Sequence, residues 1–309
     1  MIKDNGLILL LIKNILISQD FSYIMKEVKR VKAPVRVDFA GGTTDVQPFP
    51  TMYGGAVLNI AINKYITGEL ISSDKNVSLS YSGNIPTSSG LGTSGVMNLV
   101  WLSLIKKKKF SNEKDKLELA EDVYKLEQSM GLVGGKQDQY AGALGGINFL
   151  EFQNDMVHVT KVKLKPSVIK ELEDRLILVY TGKPHFSGNS NAKMIEGLKQ
   201  GKKIEIFLKI KEIATQMKKA LEKDDLARFA ELLNKETEQR EKLNPEIVPK
   251  RIKDMIKLGK SNGAIAAKIC GSGGGGCILF FGNKERIKKA FKDKCIDFKI
   301  DFEGLHWIN

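Results

Sequence analysis

The segment that most constrains the fold is 86–95 (PTSSGLGTSG), where glycines and hydroxyl residues directly precede an apolar helical pattern. Glycine tolerates positive φ and lets the backbone approach an oxyanion closely. The first amides of a helix point outwards at the positive end of its dipole. Thr93 and Ser94 add hydroxyls that suit a phosphate oxygen or a magnesium ion. Because the Lys-Ser/Thr pair of a Walker A loop is missing, the segment alone predicts either a phosphate cradle or a glycine turn that caps a helix.

A second glycine-rich run, 268–277 (KICGSGGGGC), lies between two strand-like apolar segments, 264–269 and 277–281. Glycines lose much conformational entropy on folding, so a close backbone approach is expected to compensate for this run. A flexible linker is the alternative, but linkers are usually polar and join domains rather than two buried strands. The second run therefore favours the phosphate-binding interpretation of the first.

Composition indicates a globular chain with a large core. A chain of 309 residues with 42% hydrophobic content usually forms two domains. The net charge of +13 comes from 49 basic residues, but only seven are arginines and the lysines are dispersed. Nucleic-acid surfaces favour clustered arginine with aromatic residues, so we expect no nucleic-acid partner and some attraction for anionic substrates.

The three cysteines are odd in number and lack metal-type spacing, which predicts a reduced compartment, the cytoplasm. The apolar stretch 6–17 is too short to span a membrane and lacks a small-residue cleavage site. It is either a frayed amphipathic segment or translated sequence upstream of a true start at Met25. We expect no membrane partner.

The pattern predicts three regions along the chain. Residues 1–26 form a non-core N-terminal extension, 27–165 a strand-led N-terminal domain and 166–309 a C-terminal domain. Ligands are expected in the cleft between the two domains.

Four charged residues are candidates for chemistry, each with an ordinary alternative. Asp138, in a glycine-led turn, is either a general base or a helix N-cap. Glu127 is a metal ligand or an exposed helical glutamate, and Asp45 binds sugar hydroxyls or shapes a turn. Arg36, inside an apolar strand, either pairs at the surface or stabilises a phosphoryl group in transfer.

Three motifs in order, 33–45 (APVRVDFAGGTTD), 86–95 and 268–277, resemble those of the GHMP kinases, which phosphorylate small metabolites. The resemblance covers the chain from about residue 27 to its end. It implies a two-domain α/β (α+β) fold, with mixed or antiparallel sheets covered by helices and an active-site cleft between the domains. It also implies ATP and Mg²⁺ as cofactors.

The resemblance assigns roles by position. Asp138 is implied as the catalytic base, Arg36 as a stabiliser of the transition state, and Ser94 with Glu127 as the magnesium ligands. The implied ATP-binding residues are Ser88, Ser89, Gly90, Leu91, Gly92, Thr93 and Ser94. The implied substrate-binding residues are Gly42, Thr43, Asp45, Lys136, Lys183, Gly271, Gly273 and Gly274.

Segments 36–45 and 134–140 are most similar to the branch of sugar kinases that includes D-glycero-D-manno-heptose 7-phosphate kinase, which implies phosphorylation of an anomeric hydroxyl to a 1,7-bisphosphate. Galactokinase has a Glu-His pair where this chain has Gly42-Thr43, which argues against galactose. Lys183 and His185 stand where an arginine–serine arrangement is expected, so a free sugar such as fucose, or another small alcohol, stays open. A non-catalytic nucleotide-binding or nucleic-acid-binding protein is the remaining alternative, and both monomer and homodimer are compatible with the sequence.

Overall fold

The computed structural model describes residues 27–73, 76–106, 110, 112–184, 196–198, 200–201 and 203–308. The expected N-terminal extension, 1–26, and His185 lie outside the described residues. Within those residues, no helix combines the length and the apolar character that a membrane span needs.

The first half of the chain is built on an antiparallel sheet. Alternating residues of its first strand, from Val31 through Val35 to Phe39, are fully buried, which is the pattern of a strand with one face in the core. The strand order is β10-β1-β2-β4-β5, with β3 paired to β2. These strands are β1 (Glu27–Ala40), β2 (Gly55–Ser72), β3 (Val77–Gly83), β4 (Ile147–Gln153), β5 (Met156–Lys161) and β10 (His306–Ile308).

Helices that carry the candidate residues pack against this sheet. In the second helix, Val96, Leu99, Val100 and Leu104 are fully buried at helical spacing, and the helix contacts β1 and β2. This packing brings the 86–95 loop and Asp138 to the same end of the sheet. The helices of this half are α1 (Phe49–Tyr53), α2 (Thr93–Lys106), α3 (Glu113–Ser129) and α4 (Gln137–Leu144).

The second half has its own antiparallel sheet, in the order β7-β8-β6-β9, with its own apolar core. Helix α6 also contacts β1 and β2 and so joins the two halves. The elements are α5 (Pro166–Arg175), β6 (Leu176–Tyr180), α6 (Ile204–Glu222), α7 (Leu226–Leu243), α8 (Lys250–Ser261), β7 (Ala264–Ile269), β8 (Cys277–Gly282), α9 (Lys284–Phe291) and β9 (Cys295–Ile296), with 3₁₀ turns at Pro245–Ile247 and Lys292–Lys294.

The predicted α/β class, with antiparallel sheets covered by helices, is confirmed. Within the predicted C-terminal domain, 166–309, the last residues return to the first sheet. Strand β10 pairs with β1, Arg30 opposite Ile308, and so covers an edge that would otherwise expose unpaired backbone groups. Asp301 also donates its amide to Ala61 O at 2.9 Å, so the last residues belong to the first half.

Candidate active site

A cavity of about 320 Å³ lies between the two halves of the chain. Twelve residues singled out from the sequence line it, whereas Ser89, Leu91, Lys136, Lys183, Gly273 and Gly274 do not. The predicted residues that line it are Arg36, Gly42, Thr43, Asp45, Ser88, Gly90, Gly92, Thr93, Ser94, Glu127, Asp138 and Gly271. Below, the wall formed by residues 88–94 and Glu127 is called the donor side, and the wall formed by Gly42, Thr43 and Asp45 the acceptor side.

The glycine loop of the donor side turns directly into α2. Gly90 and Gly92 have φ of +77° and +75°, and α2 begins at Thr93. A Cβ on Gly92 would lie 2.8 Å from the carboxyl carbon of Asp138, so only glycine lets the loop rest against this side chain. The first amides of a helix have no partner within it, and Thr93, Ser94 and Gly95 at the start of α2 line the cavity. The loop therefore presents an anion-binding helix terminus beside Asp138.

Arg36 and Asp138 form an ion pair at the base of the cavity. Arg36 Nε and Nη2 both contact Asp138 Oδ1, at 2.8 and 2.7 Å, and Nη1 donates to Gly90 O at 2.8 Å. Burial is the largest single effect and lowers the pKa of Arg36, but the combined attraction of Asp138, Asp38 and Cys270 outweighs it and the net pKa is raised. With both contacts on Oδ1, Oδ2 of Asp138 remains available to a hydroxyl in the cavity. One guanidinium thus fixes the carboxylate and the glycine loop together.

Glu127 is a buried carboxylate that no described cation neutralises. Its side chain accepts hydrogen bonds from Asn98 Nδ2 at 2.7 Å and Gln139 Nε2 at 2.5 Å. Burial raises its pKa to about 7. A divalent cation would stabilise the ionised form, so the residue suits magnesium.

The magnesium site would be incomplete on protein ligands alone. Among the described residues no group of three acidic, histidine or cysteine side chains could hold a metal ion. Glu127 and the exposed Ser94 both line the cavity and supply oxygen atoms. Magnesium commonly completes its coordination with phosphate oxygens and water, so the donor set fits a metal that arrives with a nucleotide.

Asp45 anchors the loop that leads into α4. It is 3% exposed and accepts hydrogen bonds from the amides of Thr43 and Gln137, each at 3.2 Å. A Cβ on Gly135 would lie 1.9 Å from Asp45 Oδ2, so the loop passes directly over the carboxylate. Burial raises the pKa of Asp45 to about 6. Asp45 is therefore both a lining residue and a support for Asp138.

Gly42 and Thr43 form a tight turn on the acceptor side. Thr43 has φ of +84°, and its Oγ1 is buried without a hydrogen-bond partner among the described residues. An unpaired buried hydroxyl is costly unless a ligand completes it. The hydroxyl of Thr43 is therefore suited to hydrogen-bond a polar group of a ligand in the cavity.

The second glycine run packs against three other segments, which explains its composition. A Cβ would lie 2.4 Å from Ile247 at Gly273, 2.4 Å from Pro184 O at Gly275 and 2.5 Å from Ser89 O at Gly276. Only Gly271 and Ser272 of the run line the cavity. The glycines are thus needed for close backbone contact, as the sequence suggested, and the contact of Gly276 with Ser89 joins the two halves. Gly273 and Gly274 do not line the cavity.

The two lysines expected to contact substrate do not line the cavity. The Lys136 ammonium is bound by Glu121, at 2.9 Å to both carboxylate oxygens, and by Asp155 O at 2.8 Å. Lys183 is exposed, and its carbonyl accepts a hydrogen bond from the Gly276 amide at 2.9 Å. In this conformation Lys136 supports the fold and neither lysine supplies a cation to the cavity.

Sequence reasoning missed a group of buried charges beneath the acceptor side. Asp38 Oδ2 lies 3.1 Å from Lys268 Nζ and 3.6 Å from Arg240 Nη1. Lys268 is the single charged residue of β7, which is a signal that could have found it, whereas Asp38 shares β1 with several other charged residues. Arg240 lies in a helix rich in charge, and nothing local distinguishes it from its neighbours.

Comparison with models of protein families identifies the family of this chain. The model described as the GHMP kinases N-terminal domain matches residues 56–146, and the GHMP kinases C-terminal model matches 217–297. The chain belongs to the GHMP kinases. The first glycine loop and Asp138 fall within the first match, and the second glycine run within the other.

Relatives narrow the class to sugar kinases. D-glycero-alpha-D-manno-heptose 7-phosphate kinase of Campylobacter jejuni is 30% identical, over 89% of this chain and 97% of that protein. L-fucokinase/L-fucose-1-P guanylyltransferase of Bacteroides fragilis is 25% identical over 80% of this chain, which spans only 34% of that longer protein. The crystal structure of a D-glycero-D-manno-heptose 1-phosphate kinase from Bacteroides thetaiotaomicron superposes with a TM-score of 0.70 at 26% identity, covering 92% of this chain and 99% of that one. This GHMP kinase is therefore a phosphotransferase of the sugar-kinase type.

Proposed function

We propose that this enzyme transfers the γ-phosphoryl group of ATP to the anomeric hydroxyl of a sugar, with D-glycero-D-manno-heptose 7-phosphate as the acceptor and the 1,7-bisphosphate as the product. The observation that carries the chemistry is the Arg36–Asp138 pair, which lies in the cavity directly beside the N-terminus of α2. The heptose assignment is supported by the Campylobacter relative, which aligns over 97% of its length.

On the donor side, the amides at the start of α2 and the hydroxyls of Ser88 and Thr93 bind the ATP phosphates. Ser94 and Glu127 would hold magnesium, which would supply neutralisation of charge on the phosphoryl group. The raised pKa of Glu127, about 7, means that the residue takes a proton readily when no cation is near. Nucleotide and metal are therefore expected to bind together.

At the centre, Oδ2 of Asp138 accepts the hydrogen of the attacking hydroxyl and aligns its oxygen with the γ-phosphorus. Arg36 keeps the carboxylate in place through Oδ1, since its own position is fixed by Gly90 O. Its guanidinium also lowers the energy of negative charge that develops nearby. Positioning and electrostatics, rather than a covalent intermediate, carry the reaction.

On the acceptor side, Asp45, Thr43 and the backbone at Gly42 and Gly271 contact the sugar hydroxyls. The unpartnered Thr43 Oγ1 supports this assignment, because an acceptor hydroxyl would complete its hydrogen bonding.

A second candidate, a free sugar such as fucose, is favoured by one observation. Among the lining residues that the structure describes, both guanidiniums already face carboxylates, Arg36 with Asp138 and Arg240 with Asp38. A substrate phosphate in that part of the cavity would find no unpaired cation. The similarity to the L-fucokinase relative also supports a free sugar as the substrate.

An acceptor panel tests both candidates. ADP release is measured with MgATP and mannoheptose 7-phosphate, free mannoheptose, fucose, galactose, mannose or mevalonate. Highest kcat/KM on the 7-phosphate supports the heptose-phosphate assignment, and highest kcat/KM on a free sugar replaces it with the second candidate. No turnover on any sugar would refute the proposal.

We further propose that the enzyme works in the cytoplasm, where ATP and sugar phosphates are available, as a monomer or homodimer without a nucleic-acid partner. Gel filtration and an oligonucleotide-binding assay across salt concentrations test these points.

A further inference from the structure

Four buried charged residues meet beneath the acceptor side and cross between the two halves of the chain. Asp38 comes from β1, Glu236 and Arg240 from α7, and Lys268 from β7. Each is at most 1% exposed. Burying charges is expensive and is tolerated only when they are paired and hydrogen-bonded. Because burying these four charges destabilises the fold, and because the cluster lies next to the cavity, we expect the cluster to have a role in the site.

Arg240 is the member that contacts both the second glycine run and strand β1 at the cavity. Its Nη2 donates to Gly271 O at 2.5 Å, and its Nη1 lies 3.6 Å from Asp38 Oδ2. Arg240, Asp38 and Gly271 all line the cavity. One guanidinium therefore holds the glycine run of the second half against a strand of the first.

Neutralising Asp38 does not by itself require Arg240. Lys268 Nζ, at 3.1 Å, is nearer to the same oxygen of Asp38. What Arg240 adds is its planar fork, which contacts Gly271 O and Asp38 at once; a lysine ammonium is a point charge on a flexible stem. The geometry thus favours a positioning role over simple charge pairing.

The Gly41–Gly42 turn is shaped by the same face of α7. Glu236, one helical turn before Arg240, accepts a hydrogen bond from the Gly41 amide at 3.3 Å. A Cβ on Gly42 would lie 2.2 Å from Asp38 Oδ2 and 3.2 Å from Arg240 Nη1. The Asp38–Arg240 pair therefore occupies the space into which any side chain at position 42 would extend.

We propose that Arg240 is a positioning residue for the sugar acceptor: it sets the distance between the Gly42–Thr43 turn and the Gly271–Ser272 wall, and with it the fit of the acceptor. This inference rests on the proposed sugar-kinase function, since it assigns the wall to the acceptor. The donor loop also packs against the second glycine run, but it has an anchor of its own in the Arg36 Nη1 hydrogen bond to Gly90 O at 2.8 Å. We therefore expect Arg240 to affect the acceptor more than ATP.

The test is Arg240→Lys, assayed with the best sugar from the acceptor panel. Losing one charge-assisted hydrogen bond predicts a rise in the acceptor KM of about tenfold or more. The KM for ATP is expected to stay within about threefold. Arg228→Lys is the matched control: it lies on the same helix but donates to Gln216 Oε1 at 2.9 Å, away from the cavity, and leaves both KM values unchanged.

Chemical rescue distinguishes a positioning role of Arg240 from a general loss of structure in its variants. In Arg240→Ala, added guanidinium ion at a non-denaturing concentration is expected to lower the acceptor KM again, because it can occupy the space of the missing side chain. An unchanged acceptor KM in active Arg240→Lys, or an equal rise in both KM values without rescue, overturns the proposal while leaving the kinase function intact. A parent enzyme that turns over no sugar overturns both.

Discussion

Replacing Asp138 by asparagine keeps the shape of the side chain and removes its ability to accept a proton. In Asp138→Asn an amide oxygen can still accept from Arg36, and the donor side is untouched. We therefore expect ATP binding close to that of the parent. Turnover with the best sugar should fall by roughly 10²–10⁴, the usual contribution of a positioned base.

Asp138→Asn should also destabilise the protein, because it weakens the ion pair between Arg36 and residue 138. The Arg36 side chain is 7% exposed and that of Asp138 25%, so the pair is partly screened by solvent. Weakening a hydrogen bond to a charged group costs about 1.5–3 kcal/mol. For a chain of this size that corresponds to a fall in Tm of roughly 2–5 °C.

The assay combines ADP release at saturating sugar with thermal unfolding in the presence and absence of MgATP. Asp122→Asn is the control, because Asp122 forms an exposed ion pair with Lys106 on the outer face of the same half. It should change neither turnover nor the response to MgATP. An Asp138→Asn enzyme with parental turnover would refute the assignment of Asp138 to the reaction.

Three further changes test the metal, the pH response and the glycine packing. Glu127→Gln removes a carboxylate ligand, so the magnesium concentration for half-maximal activity should rise by about tenfold or more in a titration of ADP release; no change would remove Glu127 from the metal site. Since burial raises the Glu127 pKa to about 7, its contribution to stability is present below the unfolded pKa and is lost as pH rises through about 7. In metal-free protein, the fall in Tm from pH 5 to 8 should therefore be smaller in Glu127→Gln than in the parent, and equal slopes would contradict the burial argument. Gly276→Ala places a Cβ 2.5 Å from Ser89 O, whereas Gly131→Ala, at a similar positive φ of +74°, meets nothing within 4 Å. The first should lower the free energy of unfolding by at least about 1 kcal/mol more than the second in urea titrations, and equal losses would mean that only backbone strain matters.

The sequence predicts those parts of the site that are formed by residues contiguous in the chain. The loop 86–95 requires positive φ and a following helix, and both appear at Gly90, Gly92 and α2. Arg36 and Asp138 were singled out separately, and the fold brings them into contact. Short motifs carry this information because their chemistry depends on local backbone geometry.

The parts that the sequence does not predict depend on contacts between distant segments. Lys136 is only two residues from Asp138, yet the start of α4 turns its side chain towards Glu121 on α3. Asp38 and Lys268 are separated by 230 positions and meet only when the two halves pack together. The final strand likewise returns to the first sheet because β1 offers it an open edge.

The most direct test of the account is ³¹P NMR of the product formed from MgATP and the preferred sugar. Phosphoryl transfer aligned by Asp138 predicts a new phosphate resonance coupled to the anomeric proton, together with ADP, and no such signal with Asp138→Asn over the same period. A product phosphorylated at another hydroxyl, or ADP formed without a phosphorylated sugar, would contradict the account.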